Sequence, residues 1–259
     1  MTFSLCASMT LLFREVALTA RFGRAKRAGI RAIELQSLED ETLDALEAAI
    51  SAAGLDVVLI NVPLGDFMAG GAGLSGVPGR EEDFRQAVVN TLEAARRLRA
   101  RFVNLGGSRL PNGLEPATAL ETYRRNLSLA VDLCRAAGVL ALVEPLNSVD
   151  MGNVLIGSTA GAAAVIADHG PDRLGLQFDI YHTHMNGEPV ADTFRTYRPL
   201  IRHIQFSDAP GRGEPGTGDI DFPMIVDVID RSGYDGWLGA EYHPTCQTEQ
   251  TLHWLAWKP

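Results

Sequence analysis

Short runs of strand-forming residues alternate with amphipathic helical stretches along this chain, and this alternation limits the fold more than any other feature. Eight such runs occur, approximately at 3–7, 32–35, 57–61, 102–105, 140–144, 174–179, 201–205 and 237–242. This pattern is typical of a parallel sheet with crossover helices. A length of 259 residues is also about that of a complete eightfold barrel. The sequence therefore predicts an α/β fold, a (β/α)8 TIM barrel.

Helical stretches fill the intervals between these runs, at 42–53, 81–98, 117–137, 158–168 and 222–231 among others. Two glycine-rich stretches, 63–79 and 207–219, are longer than ordinary connections and each follows a strand. Loops of that kind inside a compact α/β fold are usually functional lids. Because the alternation continues after both without a change in composition, residues 1–259 are predicted to form a single domain.

Charge and composition restrict the partners of the chain. Hydrophobic residues make up 46% of it, which is enough for a large core without disulfides or a structural metal. The net charge of −9 and the pI near 5.1 give no general basic surface for a phosphate backbone. A small molecule is thus the expected partner and nucleic acid is not, while self-association of the chain stays open.

Cysteine spacing and the first residues indicate the compartment. The three cysteines are far apart and show no CxxC spacing: Cys6, Cys134 and Cys246. Neither a disulfide framework nor a zinc site is suggested. Residues 1–13 are apolar, and no basic residue stands before their apolar stretch. Arg14 and Glu15 end this stretch after too few residues to span a bilayer. We expect a cytoplasmic protein without a signal peptide or membrane contact.

Polar residues stand at the ends of four late strands, each about one β/α unit after the last. They are Glu144, Asp179, Gln205 and Glu241. In a barrel the carboxyl ends of all strands meet at one rim, so these side chains should converge. A single residue of this kind is more often a helix cap or ion-pair partner, but four at matching strand ends favour a site. Carboxylate and amide oxygens suit a divalent ion such as Mg²⁺ or Mn²⁺.

Such a metal site suggests an isomerisation. A divalent ion on the carbonyl and hydroxyl oxygens of a substrate would acidify the adjacent carbon and stabilise an enediolate. Carboxylates on either side of that carbon then serve as base and acid, provided that their surroundings keep their protonation states apart.

Other polar residues near the predicted rim also favour function. His182 follows Asp179 closely enough to reach a substrate oxygen. Arg212 lies in the glycine-rich stretch 207–219, where a cation can clamp a substrate carboxylate and the glycines allow closure. For His203, a buried core role and a role supporting the site are equally compatible with the pattern, whereas His184 is predicted to be a surface residue.

Three familiar motifs are missing. Gly106-Gly107 does not have the GxGxxG spacing of a dinucleotide site, and the chain contains neither GxxxxGK[ST] nor a GxSxG elbow before a helix. Nicotinamide, ATP and serine-hydrolase chemistry are therefore not expected.

Ordered short motifs run along nearly the whole chain. They are 61–66 (NVPLGD), 78–82 (PGREE), 144–147 (EPLN), 178–182 (FDIYH), 203–205 (HIQ), 208–212 (DAPGR), 214–218 (EPGTG) and 239–242 (GAEY). In their order and spacing the chain resembles the hydroxypyruvate isomerases of the xylose isomerase-like barrel superfamily. The chain departs from them at 36–38 (QSL), after the second strand, and at 70–73 (GGAG), after the third.

The resemblance implies roles for particular residues. It makes metal ligands of Glu144, Asp179, Gln205 and Glu241, and proton carriers of Glu144 and Glu241. It also implies that Asp150, His182 and Arg212 contact the substrate. The implied reaction converts hydroxypyruvate into tartronate semialdehyde (2-hydroxy-3-oxopropanoate) through an enediolate.

Related activities remain open beside this one. A 2-oxo-tetronate isomerase would resemble the chain at the same positions. Ketose 3-epimerases of the tagatose and psicose type are similar but usually carry histidine where this chain has Gln205. A sugar- or acid-binding barrel without turnover would need no pair of bases, and a nuclease of the related barrel type would need more histidine ligands and a basic face.

Overall fold

Eight parallel strands form a closed ring in the computed structural model, which describes residues 2–257. The strands are β1 (Ser4–Ser8), β2 (Ala32–Leu35), β3 (Asp56–Asn61), β4 (Phe102–Asn104), β5 (Leu140–Val143), β6 (Leu174–Asp179), β7 (Ile201–Phe206) and β8 (Trp237–Ala240). Each pairs with its neighbours in the chain, and β1 also pairs with β8. The predicted (β/α)8 barrel is confirmed.

The strands are apolar because a barrel buries both of their faces, one against the helices and one inside the ring. Every residue of β2 and β6 is buried. The observed ends lie within two residues of the predicted ones. The largest difference is in β8, where pairing stops at Ala240 and residues 241–242 leave the ladder at the rim.

Helices connect the strands in the described part of the chain. They are α1 (Leu18–Arg27), α2 (Leu43–Ala53), α3 (Glu81–Leu98), α4 (Pro116–Ala136), α5 (Ser148–Met151), α6 (Thr159–His169), α7 (Ile180–Met185), α8 (Val190–Tyr197) and α9 (Phe222–Arg231). Local chemistry sets several of their limits. The Ser158 hydroxyl accepts from Gly161 N at 3.1 Å at the start of α6, and Gly54 ends α2 at φ +60°, which a residue without Cβ adopts at little cost.

After β8 the chain forms 3-10 turns, Thr248–Gln250 and Leu252–Trp257, in place of a further α-helix. Trp254 and Trp257 pack on Phe206 of β7 with ring centroids 5.5 and 4.9 Å apart. This aromatic contact covers the outer face of the sheet where a helix would otherwise lie.

The two long loops leave the carboxyl ends of β3 and β7, as the sequence predicts. In the first, residues 67–69 form a 3-10 turn whose Phe67 is buried. Arg109 holds this loop because its guanidinium donates to the carbonyls of Phe67 and Gly71 at 2.6 and 2.7 Å. Both loops therefore border the rim at which the polar strand ends converge. Among residues 2–257, no helix combines the length and apolarity needed to cross a bilayer.

Candidate active site

Four buried polar side chains lie at the carboxyl rim of the barrel. Glu144 directly follows β5, Asp179 is the last residue of β6, Gln205 lies in β7, and Glu241 directly follows β8. They are 8%, 1%, 0% and 7% exposed. Asp179 and Gln205 are register partners across β6 and β7. The structure brings the four residues to the same end of adjacent strands, as the sequence predicts.

Asp179 presents one carboxylate oxygen to the interior of this site. Its Oδ1 accepts from the backbone N–H groups of Tyr181 and His182 at 2.7 and 3.3 Å, and so caps α7. Its Oδ2 is buried and has no hydrogen-bond partner among residues 2–257. Ligating atoms of Glu144, Asp179 and His182 lie within 4.8 Å of one another. A buried carboxylate oxygen without a donor is costly, so this arrangement suits a cation.

Glu144 is held by one hydrogen bond in a strongly acidic setting. Asn104 at the end of β4 donates from Nδ2 to Glu144 Oε2 at 2.8 Å. Burial is the main cause that raises the pKa of Glu144 well above its usual value, and the negative charges of Glu241 and Asp179 raise it further. Such a carboxyl can hold a proton near neutral pH.

Arg212 supplies positive charge to the same cluster. Its Nη2 donates to Glu241 Oε2 at 2.8 Å and lies 4.0 Å from Asp179 Oδ2. Burial raises the pKa of Glu241, and the guanidinium of Arg212 offsets only part of this effect. The Nε of Arg212 is buried and has no partner within residues 2–257. One N–H of the guanidinium fork is thus left for an acceptor that enters the site.

His182 is oriented by the segment after β5. The backbone N–H of Asn147 donates to His182 Nδ1 at 3.1 Å, so this nitrogen is the acceptor and Nε2 carries the proton. Burial lowers the pKa of His182 to about 4, which keeps the ring neutral. Nε2 lies 3.8 Å from Asp179 Oδ2, facing the cluster.

Asp150 lies in α5 on the outer side of the cluster and is exposed. Its Oδ2 accepts from Tyr181 Oη at 2.6 Å and from Asn147 Nδ2 at 3.0 Å. The guanidinium of Arg212 stands over the Tyr181 ring, 5.2 Å from its centroid. Tyr181 therefore links Asp150 to Arg212, and the three residues form one wall of the site.

The loop that carries Arg212 is organised by a buried carboxylate. Asp208 accepts from the backbone N–H groups of Ala209, Gly216 and Ile220 at 2.9, 2.7 and 3.1 Å. The two ends of the loop approach so closely at Gly218 that an added Cβ would lie 2.0 Å from the carbonyl oxygen of Ala209. Glycine is therefore required there, and the loop reaches the rim as a compact turn.

A buried polar network lies directly below Gln205. The Gln205 Nε2 donates to Glu34 Oε2 at 2.7 Å, and His203 Nε2 stands 2.7 Å from Glu34 Oε1. Burial raises the pKa of Glu34, but the charge and hydrogen bond of His203 and the other donors outweigh it and lower the pKa overall. His203 is thus buried and belongs to the network that contacts Gln205.

Comparison with known proteins places this geometry in a family. The family model described as the xylose isomerase-like TIM barrel matches residues 22–257. The chain belongs to this family. Among its curated relatives are the hydroxypyruvate isomerase of Escherichia coli, 35% identical over 250 residues, and the 2-oxo-tetronate isomerase of Cupriavidus necator, 34% identical over 249 residues. Each alignment covers 96% of both proteins.

A solved structure shows the same architecture over nearly the whole chain. The crystal structure of a protein from Brucella melitensis titled AP endonuclease, family 2, has a TM-score of 0.92 and 30% identity, and the match covers 98% of each chain. The curated relatives of this xylose isomerase-like barrel are named isomerases, and the chain is an enzyme of that class.

Several residues that shape the site of this xylose isomerase-like barrel were missed at the level of sequence. Asn104, Asn147 and Tyr181 orient the predicted residues through hydrogen bonds, and Glu34 lies beneath Gln205. Glu34 had a detectable signal, since a carboxylate between Ile33 and Leu35 of a buried strand needs a partner. The amides and the tyrosine have no comparable signal, because their partners depend on the path of loops.

Proposed function

We propose that this enzyme interconverts hydroxypyruvate and 2-hydroxy-3-oxopropanoate (tartronate semialdehyde) in a reaction that depends on Mg²⁺ or Mn²⁺. The observation that carries the proposal is the buried Asp179 Oδ2, which has no hydrogen-bond partner among residues 2–257 and lies beside Glu144 and Arg212. The donor set, with two further oxygen side chains at the same rim, fits a hard divalent cation.

Glu144, Asp179, Gln205 and Glu241 would hold the metal. When bound, the ion would polarise the carbonyl of the substrate and stabilise the enediolate. The residues themselves support this role, because three buried carboxyl groups share one rim with Arg212 beside them. Burial raises the pKa of both Glu144 and Glu241, and the negative charge of neighbouring carboxylates, Asp179 among them, raises it further. A cation would relieve that repulsion.

Glu144 and Glu241 would move the proton. They follow β5 and β8, so Asp179 on β6 and Gln205 on β7 lie between them. One glutamate takes the proton from C3 of hydroxypyruvate, and the electron pair forms the C2–C3 double bond of the enediolate. The other glutamate gives a proton to C2, while the hydroxyl proton passes from O3 to O2. The product is the aldehyde with the same atoms and the same oxidation state overall.

Arg212, His182 and Asp150 would orient the substrate. The partnerless Nε of Arg212 offers a donor for a substrate carboxylate. The neutral His182 directs its Nε2 proton into the site, where it can donate to a substrate oxygen. Asp150 lies at the open side with Tyr181 as its donor, where it can accept from a substrate hydroxyl.

The activity is tested by incubating the protein with hydroxypyruvate and Mn²⁺ or Mg²⁺ and coupling the product to a tartronate semialdehyde reductase. We expect NADH oxidation that requires the protein and the metal, and that chelation by EDTA abolishes. Absence of product at high enzyme concentration with either metal would exclude this substrate.

Glu241→Gln separates catalysis from folding. The amide is isosteric but cannot accept a proton, and proton transfer of this kind contributes about 10²–10⁴-fold to rate. We expect kcat to fall by at least about 100-fold, Mn²⁺ to bind more weakly, and the thermal melt to stay close to wild type. Glu249→Gln, at an exposed glutamate in the 3-10 turn Thr248–Gln250, is the matched control and should keep full activity.

A 2-oxo-tetronate isomerase is the second candidate, favoured by the Cupriavidus necator relative with its 34% identity and 96% coverage. The same residues would act on a four-carbon 2-oxo acid. Comparing kcat/KM for hydroxypyruvate and for 2-oxo-tetronate under identical conditions decides between them. Proton NMR in D₂O also distinguishes a ketose 3-epimerase, because solvent deuterium enters at the carbon whose proton is removed. Absence of deuterium exchange with all of these substrates would indicate a barrel that binds without turnover.

A further inference from the structure

We propose that Glu34 is a positioning residue that fixes the orientation of the Gln205 side-chain amide, so that Oε1 rather than Nε2 is presented to the metal. The inference rests on the proposed function, in which Gln205 is a ligand. Glu34 lies on β2 and is 0% exposed, and its carboxylate meets side chains of β7 across the barrel interior. Nothing in the chemistry proposed above requires a further buried carboxylate at this place.

Four donors surround the two oxygens of Glu34. Oε1 accepts from Cys6 Sγ at 3.2 Å and faces His203 Nε2 at 2.7 Å. Oε2 accepts from Gln36 Nε2 at 2.8 Å and from Gln205 Nε2 at 2.7 Å. An ionised carboxylate with these contacts is fully satisfied and only accepts hydrogen bonds.

The acceptor character of Glu34 determines which end of the Gln205 amide points toward it. The oxygen and nitrogen of an amide have almost the same shape, and only hydrogen bonding distinguishes the two orientations. With an ionised Glu34 below, Nε2 must face the carboxylate and Oε1 must face away. Gln177 on β6 donates from its Nε2 to Gln205 Oε1. The second lone pair of Gln205 Oε1 is left for another partner. A metal ligand of this kind needs such support from the residues behind it.

The barrel also makes room for this carboxylate. Gly239 on β8 has no side chain, and a Cβ placed there would lie 1.6 Å from Glu34 Oε1. Gly239 is the register partner of Gln205. Because Gly239 has no side chain, the Glu34 carboxylate fits beside it and reaches the Gln205 amide.

Glu34→Gln should reverse the Gln205 amide. If the new amide at position 34 keeps its oxygen toward His203, its NH₂ group faces the Gln205 NH₂ group, and the clash of donors turns Gln205 so that Nε2 replaces Oε1 at the metal. The opposite rotamer of the new amide would require His203 Nε2 to lose its proton, so that the ring proton is carried on Nδ1. That nitrogen is buried without a partner among residues 2–257, so the proton would become an unsatisfied buried donor.

The test is Mn²⁺ affinity, measured from the EPR signal of free Mn²⁺ without substrate, for wild type, Glu34→Gln, Gln205→Ala and the double variant. Loss of support behind a metal ligand typically weakens affinity by about 10- to 100-fold. We expect Glu34→Gln and Gln205→Ala each to raise the Kd by about 10-fold or more, and the double variant to match Gln205→Ala within about twofold. Thr91→Val, at a buried hydroxyl bonded to the carbonyl of Ala87 in α3, is the control and should keep the wild-type Kd.

Two results would overturn the inference while leaving the proposed ligand set intact. The first is an unchanged Kd in Glu34→Gln when Gln205→Ala weakens Mn²⁺ binding. The second is a double variant whose loss of affinity equals the product of the two single losses. If wild type does not bind Mn²⁺, or if Gln205→Ala binds it normally, the ligand set itself fails and the inference fails with it. Should Glu34→Gln not fold by circular dichroism, a crystal structure of wild type with Mn²⁺ decides. In that structure Gln205 should bind the metal through its amide oxygen, which faces away from Glu34. Loss of the hydrogen bond between Gln205 and Glu34 would refute the inference.

Discussion

Negative charge is concentrated in a few side chains at the carboxyl rim, and one guanidinium balances part of it. Glu241 and Asp179 both face Arg212 Nη2, at 2.8 and 4.0 Å, and Glu144 adds a third carboxyl group to the cluster. Arg212 has a φ of +52°, which is uncommon for a residue with a Cβ. The backbone strain indicates that the position of this side chain matters, since such strain persists where the surrounding structure enforces it.

Arg212→Met tests the role of this charge while keeping most of the side-chain volume. The variant loses the donor for the substrate carboxylate and leaves Glu241 without its ion-pair partner. We expect kcat/KM for hydroxypyruvate to fall at least about 30-fold, which corresponds to about 2 kcal/mol, mainly through KM. Steady-state kinetics with the coupled assay measures it. Arg195→Met, at an exposed ion pair with Asp192 in α8, should change neither parameter, and an Arg212→Met enzyme with normal KM would remove Arg212 from substrate binding.

Residues at the strand ends were predictable from the sequence, whereas their supporting partners were not. A polar residue that ends an apolar strand of a parallel barrel must lie at the rim, so the positions of Glu144 and Asp179 follow from the pattern alone. One partner of Glu34 is His203, which is 169 residues away in the chain. Whether these two side chains meet depends on the register and stagger of the closed barrel, and a single sequence does not contain that information.

The loop after β7 is ordered by hydrogen bonds within it. Its carboxylate, Asp208, satisfies three backbone N–H groups in a turn that also contains Gly218, and it is 0% exposed. Hydrogen bonds from backbone N–H groups to a charged acceptor are stronger than those between neutral groups. The loop therefore presents Arg212 from a rigid base.

Asp208→Asn should loosen this loop. The NH₂ group of asparagine would face the N–H of Gly216, which now donates to Oδ2, and one buried donor would lose its acceptor. We expect the free energy of unfolding to fall by about 1–3 kcal/mol and KM to rise. Urea denaturation and steady-state kinetics measure the two effects.

Asp221→Asn is the matched control for this change. Asp221 caps α9 by accepting from Met224 N at 3.1 Å, and asparagine is an equally good N-cap. Its stability should stay within about 0.5 kcal/mol of wild type. Equal losses in both variants would mean that the Asp208 carboxylate contributes no special order to the loop.

Element types were predicted well because the two periodicities, near 3.6 in helices and 2 in strands, dominate this sequence. Helix α3 has the predicted limits at both ends. Short helices were not predicted: α5 and α7 have four and six residues, too few for the period to show. As a result, the sequence did not predict that His182 and His184 lie in a helix, α7.

At the scale of the molecule, helices pack on the closed ring of strands, and the core between them buries ionisable groups. Cys134 in α4 is 0% exposed within this core, and burial raises the pKa of its thiol to about 12. Cys246, by contrast, is exposed. Ionisation of the Cys134 thiol at alkaline pH should therefore be coupled to unfolding.

The sign of that coupling follows from the direction of the shift. In the unfolded chain a cysteine has a pKa near 8.5, so it loses its proton while Cys134 in the folded protein keeps its own. The unfolded state is favoured progressively as the pH rises above about 8.5, and the stabilisation is fully present below that pH. Between pH 7 and 10 this single thiol should lower the free energy of unfolding by about 2 kcal/mol.

Cys134→Ala removes this dependence. The variant pays a cavity cost that does not vary with pH, so the informative quantity is the change in unfolding free energy between pH 7 and 10 rather than its absolute value. Urea denaturation with a phosphine reductant should show a decline smaller by about 2 kcal/mol in Cys134→Ala than in wild type. Cys246→Ala, at the exposed cysteine, is the control and should decline as wild type does. A Cys134→Ala protein with the wild-type decline would show that the Cys134 thiol ionises in the folded barrel, and hence that this part of the core admits water.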